Sequence, residues 1–101
     1  MKETYTAKLQ VNKKPVELNP FVEEFLARVS IGVVTSLKGI DYIRSVIIHH
    51  EHNDITITVN GDEVPLTPFP VMIIANTLQG LASTLKGVDN IKSLDVSVEA
   101  K

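Results

Sequence analysis

Three histidines are the residues of this chain best suited to bind a metal ion or to exchange protons near neutral pH. His49, His50 and His52 stand within the segment HHEHND, close to the middle of the 101-residue sequence. If the segment is a strand, His50 and His52 point to one side and His49 to the other, so at most two imidazoles converge. A zinc site needs further ligands, and the sequence shows no evident set. Metal binding, proton-linked behaviour and a solvated strand end are therefore the alternatives.

A second polar set, Lys38, Asp41 and Ser45, could in principle bind an anion. These residues follow a predicted helix, however, and the dipole at a helix C-terminus is unfavourable for anions. The sequence contains no dinucleotide-binding or phosphate-binding loop, no nucleophile elbow and no HExxH motif. It also contains no cysteine, which excludes disulfides, thiolate metal sites and cysteine nucleophiles. We therefore expect a protein that is not an enzyme and has no cofactor.

The elements that position these residues are written twice in the chain. A shift of 48 positions places Leu9–Glu51 on Ile57–Glu99 without a gap, so that LQVNKKPVELNPF matches ITVNGDEVPLTPF and SLKGIDYIRS matches TLKGVDNIKS. The pattern predicts a tandem duplication with repeats at about 4–51 and 54–99. Half of this chain would bury too little surface to be stable alone, so we expect one domain, 1–101, with a shared core.

Each repeat is predicted to fold as ββαβ. Alternating apolar residues indicate a first strand, and Asn60-Gly61 is a strong hairpin signal. Short return strands should follow, at a sheet edge because each contains or adjoins a proline. Asn19 and Thr67 are suitable N-caps for helices that begin at the next residue. The predicted return strands are Val16–Leu18 and Val64–Leu66, the helices end near Lys38-Gly39 and Lys86-Gly87, and the last strands lie near Ile43–His50 and Ile91–Val98.

The predicted fold class is α+β, a two-layer α/β sandwich with six mostly antiparallel strands, two helices on one face and a pseudo-twofold relation. If each repeat is self-contained, the strand order is 2-1-3-3′-1′-2′. The short link Glu51–Asp54 favours a hairpin between the repeats instead, which gives the exchanged order 2-1-3′-3-1′-2′. We prefer the exchanged order. Apolar residues at helical spacing are expected to face the core, at Phe21, Phe25 or Leu26, Val29, Val33 and Leu37 in the first helix and at Phe69, Ile73 or Ile74, Leu78, Leu81 and Leu85 in the second.

Two glycines inside the predicted helices call for an explanation. A glycine within a helix costs about 1 kcal/mol relative to alanine. Gly32 and Gly80 each lie four residues before a small hydroxyl residue. The expectation is that the two helices approach closely at these glycines, the alternative being that each glycine makes room for a bulky residue of the sheet.

The two helices differ most in polarity. Glu23, Glu24 and Arg28 of the first helix correspond to Val71, Met72 and Asn76 of the second. A helix that is apolar on nearly every side is either deeply buried or covered by another molecule. We therefore predict a partner interface at Val71, Met72 and Ala75, formed with a protein partner or in a homo-oligomer, with local core packing as the alternative.

Charge and hydropathy exclude other classes of partner. Ten basic and 12 acidic residues give a net charge of −2, and no run of like charge exceeds two residues. Nucleic-acid binding needs a concentrated basic surface and is not expected. The longest apolar run, Val71–Ala75, is far too short to span a membrane. The sequence begins without the apolar core of a signal peptide, so we expect a cytoplasmic location.

The paired motifs also carry a resemblance. VNGDEVPLTPF followed by LASTLKGV, and VNKKPVELNPF followed by VTSLKGI, resemble a small prokaryotic domain in which a V-N-G-K hairpin leads into P-L-N-x-F-V, a helix and S-L-K-G-V. That domain occurs alone, at about half this length, and as a C-terminal appendage of some proteins similar to the molybdopterin-guanine dinucleotide biosynthesis B protein. The resemblance implies the existence of the unit and no activity.

These observations favour a binding or assembly module that acts through protein–protein contacts by way of its apolar second helix. The competing hypothesis is a small-ligand or metal-binding protein that uses the cleft between the repeats together with His49, His50 and His52. Binding of nucleic acid to the open face of the sheet is the third hypothesis, because the outward positions mix basic with acidic residues and include few aromatic residues.

Overall fold

A computed structural model of the chain describes residues 5–37, 42–51, 54–66, 68–85 and 90–100. Eight elements follow one another in the order expected of two ββαβ units. They are β1 (Tyr5–Val11), β2 (Lys14–Val16), α1 (Pro20–Leu37), β3 (Ser45–Glu51), β4 (Asp54–Val59), β5 (Asp62–Val64), α2 (Pro68–Ser83) and β6 (Ser93–Ala100).

The six strands form one sheet in the order β2-β1-β6-β3-β4-β5, and every neighbouring pair is antiparallel. This is the exchanged order, which confirms the preferred prediction and excludes the self-contained one. The physical reason is the short link between β3 and β4, which closes a hairpin in which Glu51 pairs with Asp54. The fold class is α+β, with an antiparallel sheet and two helices.

Two tight turns begin the return strands. Asn12 and Lys13 have positive φ values of 54° and 68°, and Asn60 and Gly61 have values of 52° and 89°. Positive φ at both central residues is typical of the type I′ turn, whose twist suits a two-residue hairpin. Pairing therefore resumes at once, and β2 and β5 lie two residues earlier than predicted. Both are edge strands, as the prolines indicated.

The turn asparagines also hold the chain where it enters the central strands. Asn60 Oδ1 accepts hydrogen bonds from the backbone N–H groups of Arg44 (2.7 Å) and Ser45 (3.0 Å), and its Nδ2 donates to the Tyr42 carbonyl (2.7 Å). Asn12 makes the same three contacts 48 positions away, with the N–H groups of Lys92 and Ser93 and the carbonyl of Asn90. Each turn therefore fixes the start of a central strand that comes from the other half of the chain.

These contacts show the course of the helices. The chain leaves β2 at one edge of the sheet, and after α1 it reaches Asn60 near the opposite edge, so α1 crosses the sheet. By the same reasoning α2 crosses back toward Asn12. Asn19 Oδ1 accepts a hydrogen bond from the Val22 N–H at 2.8 Å, which confirms it as the N-cap of α1. Thr67 and the predicted ends Lys38-Gly39 and Lys86-Gly87 lie outside the described residues.

One face of the sheet and one side of each helix form the core. The sheet contributes alternate residues, including the predicted inner positions Val46, Ile48, Leu94 and Val96. The helices contribute positions four apart, Leu26, Ser30 and Val34 in α1 and Ile74, Leu78 and Ala82 in α2. Both helices therefore cover the same face, as expected of a two-layer fold.

The rotation of the helices corrects part of the predicted core. Phe21 is 74% exposed and Phe25 45% exposed, so Leu26 is the residue that faces the sheet. In the second helix Ile74 is buried, whereas Ile73 is 49% exposed. Several neighbouring apolar residues near each helix start allow more than one rotation at helical spacing, and packing against the sheet selects this one.

The expected close approach of the helices at their glycines is wrong. Gly32 and Gly80 both lie on exposed sides of their helices, and a Cβ atom built on either would meet no other atom within 4 Å. The glycines therefore accommodate neither a second helix nor a bulky residue of the sheet within the described chain.

Replacing either helical glycine with alanine is expected to stabilise the protein. Gly32→Ala and Gly80→Ala should each raise the free energy of unfolding by about 0.5–1 kcal/mol, because alanine restricts the unfolded chain and meets no steric obstacle here. Gly61→Ala is the matched control and should destabilise, since φ is 89° at that position. Urea unfolding measures all three; a loss of stability in Gly32→Ala would contradict the exposed position of this residue.

Candidate functional site

The strongest candidate site is the outer side of α2. Of the predicted interface residues, Met72 is 62% exposed, whereas Val71 and Ala75 are half-buried and so lie nearer to the sheet. Ile73, which the sequence offered as an alternative to Ile74 for the core, is exposed beside Met72. We define the α2 outer surface as the exposed residues Met72, Ile73, Asn76, Thr77 and Gly80.

The α2 outer surface is also free of charge. No acidic or basic residue occurs between Val64 and Leu85. Hydroxyl groups of α2 turn back onto their own helix, as the Thr77 hydroxyl donates to the Ile73 carbonyl at 2.7 Å and the Ser83 hydroxyl to the Gly80 carbonyl at 3.0 Å. The Thr77 hydroxyl therefore adds little to the hydration of this surface.

The matching side of α1 has a different chemistry. Glu24 and Arg28 form an ion pair one helical turn apart, with 2.6 Å between Glu24 Oε2 and Arg28 Nη2. Glu23 reaches the sheet edge, where its carboxylate accepts a hydrogen bond from the Ala7 N–H at 3.1 Å. Val71 stands at the position that corresponds to Glu23. The charged residues of α1 therefore keep that helix hydrated and give a partner to an N–H of β1 beyond the residues with which β2 pairs.

An aromatic pair lies at the start of α1. Phe21 and Phe25 stack with their ring centroids 6.0 Å apart and their planes 18° apart. Both rings are exposed, whereas the sequence predicted Phe21 in the core and left Phe25 and Leu26 as alternatives there. The sequence signal for the exposure of these rings is the competing apolar stripe that passes through Leu26. The pair is a second exposed apolar feature, on a helix whose outer side also carries the charged residues Glu24 and Arg28.

His49 lies on the face of the sheet that no helix covers. Its Nδ1 is 2.5 Å from Asp95 Oδ1 across the β3–β6 pair, and its Nε2 is 3.1 Å from Glu51 Oε1. Hydrogen bonding to Asp95 raises the pKa of His49, burial opposes this, and Glu51 raises the pKa further. Lys13 Nζ lies 3.8 Å from Asp95 Oδ2 and completes the group. The arrangement binds a protonated imidazole between two carboxylates.

His50 lies on the opposite face, inside the core. It is 5% exposed and stands between Ile55 of β4 and Leu94 of β6. Burial lowers the pKa of His50, and the nearby His49 lowers it further. His52 lies outside the described residues. The two described histidines therefore do not converge, and no group of three or more His, Cys, Asp or Glu side chains in the described part of the chain could hold a metal ion.

Replacing Asp95 with asparagine is expected to return the pKa of His49 toward its ordinary value of about 6.5. Because the folded-state pKa of His49 is raised, its pairing stabilises the fold fully below about pH 6.5 and loses this effect as the pH rises through the raised pKa. Asp95→Asn should therefore cost about 0.5–1 kcal/mol near pH 6 and less at alkaline pH. NMR titration of the His49 ring and urea unfolding at two pH values test this, with Glu51→Gln as the milder control. Equal losses at both pH values would contradict it.

The anion-binding set is not assembled by the described residues. Lys38 and Asp41 lie outside them, and the Ser45 N–H is bonded to Asn60. An open cavity of about 350 Å³ lies between the start of α1 and the chain that follows α2, and it is lined by Glu17, Leu18, Asn19, Val22 and Leu85. Among the described residues of that lining Glu17 alone is ionisable, so they offer no paired groups for acid–base chemistry.

Two findings concern the chain as a whole. Neither helix, as far as its residues are described, combines the length and the hydropathy needed to cross a bilayer. Comparisons of the chain with protein-family models, with curated proteins and with solved structures find no significant match.

Proposed function

We propose that this protein is a non-enzymatic assembly module that contacts a second copy of itself through the α2 outer surface. The observation that carries the proposal is an exposed helix side with Met72 and Ile73 at its start and no charged residue along its length. Isolated exposed apolar residues are common, but an uncharged helix side in a chain that is 22% charged is not.

The absence of charge is the reason to name a second copy as the partner. In a twofold interface the same surface meets itself, so residues near the axis lie against their own counterparts. A charged residue near the axis would face the same charge in the second copy, as Glu24 and Arg28 would if α1 formed the interface. The α2 outer surface meets no such repulsion. Its one hydroxyl group, that of Thr77, donates to a carbonyl of α2 itself and loses little when water leaves.

The expected strength is modest. Full burial of a Met or Ile side chain is worth about 1.5–3 kcal/mol, and these side chains are already partly buried. Association also costs translational and side-chain freedom. A small apolar contact of this kind fits a dissociation constant in the range of about 1 μM to 1 mM. The assembly is therefore expected to respond to concentration.

The competing function, small-ligand or metal binding at the histidines, has less support. His49 is engaged by two carboxylates on one face of the sheet, and His50 is buried on the other. The cavity near α1 contains neither of them.

Sedimentation velocity over about 1 μM to 1 mM tests the proposal. The weight-average mass should rise from the monomer value of 11.1 kDa toward twice that value as the concentration increases. Substitutions at Glu24 or Arg28, on the matching side of α1, serve as the comparison, because they should leave the dependence of the weight-average mass on concentration unchanged. A constant mass of 11.1 kDa over the whole range would remove self-association as the function.

A further inference from the structure

We propose that the end of the β3–β4 hairpin at which Glu51 pairs with Asp54 is an acid-responsive latch, closed while His50 is neutral and opened locally when His50 takes up a proton. The proposal rests on the position of one side chain. His50 is 5% exposed, and its Nδ1 is buried without a hydrogen-bond partner in the described structure. A neutral imidazole tolerates this at moderate cost, whereas an imidazolium with an unpartnered N–H in an apolar site does not.

The sheet register makes this end easy to open. His50 pairs with Ile55 of β4, and Glu51 pairs with Asp54 at the close of the hairpin. β5 begins to pair with β4 at Ile57, so Asp54–Thr56 has a strand on one side alone. Segments held by few neighbours open with a smaller free energy than the whole domain. Exposure of His50 therefore needs the movement of a short segment and not global unfolding.

Among the described residues, no acid stands where it would stabilise a proton on His50. Its strand neighbours are Ile55 and Leu94, and α2 contains no charged residue. The two acids of α1 are engaged elsewhere, Glu23 with the Ala7 N–H and Glu24 with Arg28. On β3 itself, His49 is the charged neighbour, and its charge repels a second proton. Asp95 and Glu51 face His49 on the other side of the sheet.

The direction of the pH effect follows from this environment. In the open state His50 is solvated, with a pKa of about 6.5, whereas burial lowers the pKa in the closed state. The open state therefore binds more protons between these two values. The closed state has its full stability above about pH 6.5 and loses it as the pH falls toward the lowered pKa, by up to about tenfold in the opening equilibrium per pH unit. His49 contributes in the opposite direction, since its pairing with Asp95 strengthens when it is protonated.

Amide hydrogen exchange locates the opening. The Asn60 N–H donates to the Ser45 carbonyl, so Ser45 and Asn60 are a hydrogen-bonded pair of the β3–β4 ladder. Hydrogen-bonded pairs recur at every second position of an antiparallel ladder, so the backbones of His49 and Thr56, beside the latch, are also hydrogen-bonded to each other. Lys8 and Ser97 form the corresponding pair between β1 and β6 and serve as the internal control. Between pH 6.5 and 5.5, protection factors corrected for intrinsic exchange should fall about tenfold more at His49 and Thr56 than at the control pair.

Substitutions at His50 test whether its protonation causes the loss of protection at the latch. His50→Leu should abolish the pH-dependent part of the loss at the latch, and His50→Val offers the residue found at the matching position, Val98, as a second route to a folded variant. The measurement is made in parallel in an Ile73→Lys background, so the outcome does not depend on association. An equal fall at latch and control pairs, or the same pH dependence in wild type and in both His50 variants, would overturn the proposal.

Discussion

Replacement of Asn60 with alanine is expected to lower the free energy of unfolding by about 2–4 kcal/mol, and Asn12→Ala should have an effect of similar size. Each side chain makes three hydrogen bonds to backbone groups, and each asparagine stands at positive φ, which alanine adopts unfavourably. The groups left without a partner include two N–H donors at the start of a central strand. Urea unfolding of the two variants measures the effect.

Two further substitutions separate the contributions. Asn60→Gly removes the hydrogen bonds and keeps a residue that tolerates φ of 52°, so it should recover only the backbone part of the loss, about 1 kcal/mol. Asn60→Asp keeps the oxygen that accepts from Arg44 and Ser45 and loses the donor to the Tyr42 carbonyl. It should therefore lie between wild type and glycine. A glycine variant as stable as wild type would show that the side-chain contacts do not stabilise the fold.

Ile73→Lys is expected to raise the dissociation constant of self-association at least about 100-fold, so that dimer forms only at correspondingly higher concentrations than in the wild type. The substitution removes apolar area from the α2 outer surface and places two like charges in a twofold contact. The monomer should be little affected, by less than about 1 kcal/mol, because Ile73 is 49% exposed and the lysine stem can lie along the helix. Met72→Lys should act in the same way.

The controls for this prediction lie on α1. Thr35 is exposed on the first helix, and Thr35→Lys adds the same charge to the chain at a different site. Phe25→Lys tests the exposed aromatic pair, because Phe25 stands at the position that corresponds to Ile73. Both variants should sediment as wild type does at each concentration. Dissociation by Phe25→Lys with no effect of Ile73→Lys would assign the interface to α1 and contradict the proposed surface.

Local signals in the sequence predicted much of the fold. Asn60-Gly61 indicated the hairpin, Asn19 and Pro20 the helix start, and the short link after β3 the exchanged strand order. In each case the physical cause acts within a few residues, by way of allowed φ values, a capping side chain or the length of a connection. The return strands were displaced by two residues because the tight turn resumes pairing at once.

The remainder depends on contacts between distant residues. Periodicity could not choose between Phe25 and Leu26, since both fit a helical stripe and the choice depends on packing against the sheet. The partnership of His49 with Asp95 requires the register of two strands that are far apart in the chain. The role of Asn12 likewise depends on an entering strand from the other half. Polarity alone predicted an interface on α2 at Val71, Met72 and Ala75, but the exposure of Ile73 and the partial burial of Val71 and Ala75 depend on the helix rotation.

The most direct measurement of the central claim is a dilution series of methyl-labelled protein followed by NMR. The methyl signals of Met72 and Ile73 should shift as the concentration rises, with a common dissociation constant. The methyl signals of Ile47, which is exposed on the open face of the sheet, should not shift. Constant positions of the Met72 and Ile73 signals, whether Ile47 shifts or not, would contradict assembly through the α2 outer surface.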